Sequence, residues 1–156
     1  MEIRSITLIA KYLNQNDFKH YGNIIDYNNP SNLHSDSDTT YNIRIVEVDK
    51  SDPKVNVLRC HRNSPIIMIP LEHVKYFLPV GPQIGMMRTR PFPGTNEIKV
   101  FYSEGMQGFI LNKCVWFSKP IVTKTSLWLE ICKDFDFEER NYESILKVSF
   151  SLERPN

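Results

Sequence analysis

Apolar residues along this chain come in short runs, and clusters of Asn, Asp, Ser, Gly and Pro separate each run from the next. Ile3 to Ile9 alternates loosely and is rich in β-branched residues, which predicts a first strand. Asn14 to Asp17 supplies N-cap residues for one short helix through His20-Tyr21, with Gly22 placed to stop it. Asn23 to Tyr27 reads as a strand, and the polar stretch from Asn28 to Thr40 as an exposed loop. Tyr41 to Val48 and Val55 to His61 are strand-like, and the turn cluster between them predicts antiparallel neighbours. Ile66 to Ile69, Val74 to Val80, Ile84 to Thr89, Glu97 to Tyr102, Leu127 to Cys132 and Ile145 to Leu152 add further strands.

The segment from Glu104 to Ile121 is the most informative. Gly108 opens an apolar run to Leu111, Asn112-Lys113 interrupts it, and Cys114 to Phe117 resumes it before Lys119-Pro120. That pattern predicts a strand, a tight turn and a second strand forming a hairpin. A lysine held at such a turn among apolar neighbours has a route to a lowered pKa, because burial disfavours its charged form. With about ten short strands, regular turn signals and one helix, the chain is expected to be all-β, a sandwich or a jelly-roll barrel.

Composition narrows the function classes. The 156 residues are enough for a core without staples, and no composition shift marks a boundary, so one domain over residues 1–156 is expected. Nineteen basic against eighteen acidic residues leave a net charge of +1, which gives no electrostatic footprint for nucleic acid or an anionic membrane. Arg88, Arg90 and Lys99 make at most a local solvated patch. Cys60, Cys114 and Cys132 are odd in number, widely spaced and without a CxxC pair, so free thiols in a reducing compartment are expected. The N-terminal stretch lacks a signal peptide's continuous core, and no run is long enough to span a membrane. A cytoplasmic location follows as the expectation.

Familiar catalytic arrangements are missing. His20, His34, His61 and His73 include no pair spaced to share a strand face, so neither a metal nor another cofactor is expected. No GxSxG elbow, GxGxxG or phosphate-binding loop occurs. Cys60 and His61 are adjacent, and adjacent strand residues point to opposite faces, so they do not form a nucleophile and base. Trp116 and Trp128 lack interleaved basic residues and read as core.

Around the central stretch the sequence resembles the ureidoglycolate lyase family. Gln107-Gly108, Lys113, Val115-Trp116 and Pro120 fall in the order of that family's Gln-Gly, lysine strand, Val-Trp and His-His-Pro. Upstream, Phe18 to Ile25 is similar to its opening Phe-x-x-Tyr/Phe-Gly-x-Val-Ile, Leu58-Arg59-Cys60 to its Phe-Arg-x strand, Leu71-Glu72-His73 to its Leu-Glu-Arg-His, and Phe77-Leu78-Pro79 to its Phe-Ile-Pro. The resemblance runs collinearly from about Ile6 to Ile131. It implies a cupin-like double-stranded β-helix, a homodimer, and a small-molecule substrate, ureidoglycolate, split into glyoxylate and urea. A base takes the hydroxyl proton as the C–N bond breaks, and the substrate carboxylate needs cationic or N–H partners. The family's lysine falls on Lys113, the implied base; Arg59, Glu72, His73, Gln107 and Trp116 fall on positions implied to bind or frame the substrate.

The chain departs from the family where polar groups matter. Phe117-Ser118 stands for the His-His, Ile110 and Leu111 for the Asn and Tyr of the lysine strand, and Cys114 for the glycine after the lysine. Loss of those donors and acceptors opens a second reading, a cupin-like protein without catalysis that binds a ligand or a partner.

Overall fold

The structure, a computed structural model, describes residues 2–32, 40–83, 92–135 and 137–156. Its described strands are β1 (Arg4–Ile9), β2 (Lys11–Tyr12), β3 (Gly22–Ile25), β4 (Asn42–Val48), β5 (Lys54–Val55), β6 (Val57–Cys60), β7 (Ile66–Pro70), β8 (Tyr76–Gln83), β9 (Lys99–Ser103), β10 (Gly108–Leu111), β11 (Val115–Phe117), β12 (Ile121–Val122), β13 (Ser126–Cys132), β14 (Glu138–Asn141) and β15 (Val148–Glu153). Among the described residues two short α-helices join them, α1 (Gln15–Phe18) and α2 (Tyr142–Leu146), with a 3-10 turn at Thr95–Glu97. The strand expected over Ile84 to Thr89 and the Arg88 and Arg90 of the basic patch lie outside the described residues, as does His34.

Strand pairing builds three layers. A five-stranded sheet, β3-β10-β7-β13-β4, faces a sheet whose order is β14-β6-β11-β8-β9-β2, with β12 paired to β8. Between them lies the larger core, in which Phe109, Trp128 and Met68 of the first sheet meet Tyr76, Leu78 and Phe117 of the second. On the far side of the second sheet, β1, β15 and β5 form a small third sheet. Its Val148, Phe150 and Leu152 close over Leu58, Cys60, Phe77, Tyr102 and Trp116. The middle sheet is thus covered on both faces, which is why β8 and β11 are continuous apolar runs rather than alternating ones. Within β11 the alternation survives as a choice of core: Val115 and Phe117 enter the larger one, Trp116 the smaller. The fold is all-β and cupin-like, two sheets closed on a common interior.

The central segment is not a hairpin. β10 pairs with β3 and β7, whereas β11 pairs with β6 and β8, so the chain crosses from one sheet to the other between Leu111 and Val115. The backbone N–H groups of the crossing explain it. Asn112 donates to the Tyr21 carbonyl at 2.8 Å on one side and Cys114 to the His61 carbonyl at 2.7 Å on the other. Cys114 takes a left-handed conformation, φ 69°, to make the turn.

β4 and β6 likewise do not pair with each other, as their short connection suggested; β4 pairs with β13, and β6 with β11 and β14. The helix α1 ends at Phe18, earlier than expected, and its Asn14 cap accepts from the Asp17 N–H at 3.0 Å. Gly22 therefore opens β3 instead of stopping the helix. It is glycine because a Cβ there would run into the Ile110 carbonyl of β10. Among the described residues no helix is long and apolar enough to cross a membrane.

Candidate functional site

Two strand pairings bring charged side chains onto an interior face that alternation reserves for apolar residues. In β4, Val46 and Val48 pack on the larger core, and Arg44 shares their face by the two-residue repeat. In β13, Trp128 and Cys132 do the same, and Glu130 lies between them. The register sets Arg44 directly opposite Glu130. The guanidinium grips one carboxylate oxygen of Glu130 from Nε at 2.8 Å and from Nη2 at 2.6 Å. Glu130's side chain is 5% exposed and Arg44's 45%, so the acid is buried and the base caps it toward solvent.

β6 contributes from the opposite sheet. Leu58 and Cys60 turn to the smaller core, which sends Arg59, and His61 just after the strand, to the interior. Arg59 pairs across β11 with Phe117. With Arg44, Lys119, Glu130, Phe135 and Phe137 these residues line a cavity of about 20 Å³, room for roughly one water. Lys119, Arg44 and Phe137 are themselves exposed, so the cavity lies at a solvent-facing end of the interior.

Aromatic rings hold the cations in place. The Arg44 guanidinium lies 3.7 Å from the centroid of Phe135, and that of Arg59 lies 4.4 Å from Phe137. His61 is stacked on Phe117, with ring centroids 5.8 Å apart, and is buried with its Nδ1 unpartnered. Burial holds the His61 pKa below its ordinary value of 6.5; Glu130 and Asp134 pull against that, and Arg59 and Arg44 add to it. The Lys119 pKa is also lowered, first by burial and then by Arg59, with Glu130 opposing and Arg44 reinforcing. Three basic side chains thus surround one acid at a partly dry site. Charge of that sign and donors of that geometry suit a small carboxylate.

Of the residues singled out from sequence, Arg59 is the one that lines this cavity. Lys113 occupies the exposed crossing between β10 and β11; its carbonyl accepts from Gln83 Nε2 at 2.9 Å, and it is not among the cavity's lining residues. Glu72 sits on the surface, paired with Lys124 at 3.2 Å. His73 is exposed, its ring so close over Gly105 (φ +139°) that a Cβ there would meet it at 2.5 Å. Gln107 ties a turn together: its carbonyl accepts from Tyr76 Oη at 2.7 Å, and its side chain bonds Ser103 Oγ at 2.7 Å and donates to the Leu13 carbonyl at 3.2 Å. Trp116 is fully buried in the smaller core, with its Nε1 unpartnered.

Arg44, Lys119 and Glu130 were not singled out, and His61 was weighed only as a metal ligand and as a base for Cys60. The signal for two of them was in the sequence, since Arg44 and Glu130 each interrupt the apolar face of an alternating strand. Among the described residues no group of three or more His, Cys, Asp or Glu is placed to hold a metal ion.

No family model matches the chain, and no curated protein matches it. Two solved structures of oxalate decarboxylase from Bacillus subtilis are similar to it, one concerned with that enzyme's Mn(II) centres and one determined at pH 4.6. Each match has 16% identity and a TM-score of 0.42, covering 81% of this chain and 29% of the other. The chain spans under a third of the length of that enzyme. A likeness at this level says nothing of substrate or metal, and the fold described above rests on its own strand pairing.

Proposed function

We propose that this protein binds a small carboxylate at the open end of its barrel, between Arg44, Arg59 and Lys119. One observation carries the reading: three cations and one acid converge on an interior face otherwise built of Trp, Phe, Met and Val. Burying like charges together costs free energy, and an anionic ligand offsets that cost. Arg44 is half committed to Glu130, so Arg59 and Lys119 are the cations left to meet a ligand.

Ureidoglycolate is itself a small carboxylate, and its cleavage to glyoxylate and urea is the narrower form of the same proposal. The cavity favours binding over that chemistry. Phe117 lines it where the lyase family has a histidine, and Lys113 lies outside its lining. Titration calorimetry with glycolate, oxalate and ureidoglycolate, run beside a glyoxylate-release assay, tests both forms. Binding that is lost in Arg59→Gln supports the site. Glyoxylate release above the spontaneous rate that collapses in Lys113→Ala would establish the lyase with Lys113 as its base. No binding of any of the three acids would overturn the proposal.

A further inference from the structure

Lys119 stands at a junction. It lines the inner cavity, and it also lines a separate surface groove of about 330 Å³ with Glu47, Asp49, Ser51, Lys54 and Asn56. Its backbone is held in place there. Ser118 donates its N–H to the Pro79 carbonyl at 3.0 Å and its hydroxyl to the Lys119 carbonyl at 2.9 Å. Pro120 follows, which confines Lys119 to extended backbone conformations. Of the residues lining the inner cavity, Lys119 is the one that carries a primary amine. Lys119 is the residue that the cavity beside Arg59 and the groove have in common.

We propose that Lys119 is a nucleophilic amine that forms an imine with a small 2-oxo acid seated across the cavity and the groove. This rests on the carboxylate-binding reading above. The Nζ lone pair attacks the carbonyl carbon, a C–N bond forms, and the amine's proton passes to the carbonyl oxygen to give a carbinolamine. The hydroxyl takes up a proton from solvent and leaves as water, and the remaining N–H proton is returned to solvent, which leaves the imine. One amine and one carbonyl become one imine and one water, with no oxidant or reductant required. Partial burial, and then the charge of Arg59, lower the Lys119 pKa, a shift toward the uncharged form that attacks. The polar groove, with its Glu47 and Asp49 carboxylates, suits an acid whose chain carries N–H or O–H donors.

The test is reductive trapping of the whole protein with glyoxylate and sodium cyanoborohydride, followed by peptide mapping. The expected result is N-carboxymethylation of Lys119 several-fold faster than of any other lysine, Lys113 included. Glycolate, which has the carboxylate but no carbonyl, should slow it by competition. Lys119→Arg should abolish that adduct, and Arg59→Gln should slow its formation several-fold. Labelling spread over the lysines by exposure, or indifferent to glycolate, overturns the inference. Calorimetric binding of glycolate without any Lys119 adduct would sink the imine and leave the binding site standing. Absence of both would remove the two together.

Discussion

Glu130→Gln tests whether the cavity is an anion site, because it should move stability and affinity in opposite directions. The substitution keeps the shape of the side chain and one oxygen for Arg44, and it removes the one acid among the described residues of the cavity lining. A hydrogen bond to a charged acceptor contributes about 1.5–3 kcal/mol and a neutral one about 0.5–1.5, so the exchange costs about 1 kcal/mol. Arg44 is 45% exposed, and solvent screening keeps the loss toward the lower end. Two carboxylates roughly 6–7 Å apart repel by about 1 kcal/mol at an effective dielectric near 50, between the protein-surface and bulk values. Removing that repulsion should tighten glycolate binding roughly fivefold. Glu130 also favours the charged form of Lys119, so the gain should shrink as pH rises and the variant's Lys119 loses its proton earlier. Urea denaturation and calorimetry on the same preparation measure both quantities. If affinity falls together with stability, Glu130 is organising the guanidinium and not opposing the ligand, and the electrostatic account fails.

Burial lowers the His61 pKa, so the unfolded chain binds that proton more readily than the folded one. Its contribution to stability is complete above about pH 6.5 and is lost as pH falls toward the depressed folded value. Thermal melts below that pH should therefore drop faster for wild type than for His61→Gln; parallel curves would refute this. Burial pushes the Cys60 thiol up to about 12 and the Cys132 thiol to about 11, so iodoacetamide at neutral pH should modify the half-buried Cys114 first. Peptide mapping that found Cys60 labelled early would show that the smaller core opens. Gly22→Ala should cost about 2–4 kcal/mol in urea denaturation, because its Cβ has only the Ile110 backbone to enter. A homodimer is expected to cover the outer face of β4, where Ile43 and Ile45 are 66% and 64% exposed beside a strand edge that pairs with no other described strand. A second copy satisfies face and edge together, and Ile45→Lys should leave a monomer by light scattering.

How much of this was legible in the sequence follows from which interactions are local. Strand positions were, because two-residue alternation and turn residues are local properties: Tyr41 to Val48, Ile66 to Ile69 and Leu127 to Cys132 all became strands within a residue or so. Strand partners were not. Leu111 and Val115 are separated by a plausible hairpin turn, and the choice between pairing with each other and crossing sheets depends on Tyr21 and His61, both distant in the chain. The opposite faces of Cys60 and His61 were readable from spacing alone. The helix α2 was missed because its apolar content, in Tyr142, Ile145 and Leu146, reads equally well as the start of a strand. Its signals are the Asn141 cap and the left-handed Lys147 that ends it, and only the first is visible in sequence.

The same locality explains why the sequence marks Lys113 and gives no sign of Lys119. Lys113 has apolar neighbours in sequence, but those neighbours belong to two different sheets, and the turn between them faces solvent. Lys119 has Ser118 and Pro120 beside it and looks like an ordinary surface lysine. It gains its environment from Arg59 and Glu130, which arrive from β6 and β13. Below these residues the interior is filled by Trp128, Phe109 and Tyr76, packed with ring centroids 5.0–6.4 Å apart. A ligand therefore cannot descend into the barrel. On the carboxylate-binding proposal its charged head meets Arg59 and Lys119, and its tail lies in the groove along Glu47, Asp49 and Asn56. The sheets supply the rigid cations and the groove supplies the discrimination, so substitutions in the groove should change which acid binds while Arg59 decides whether any acid does.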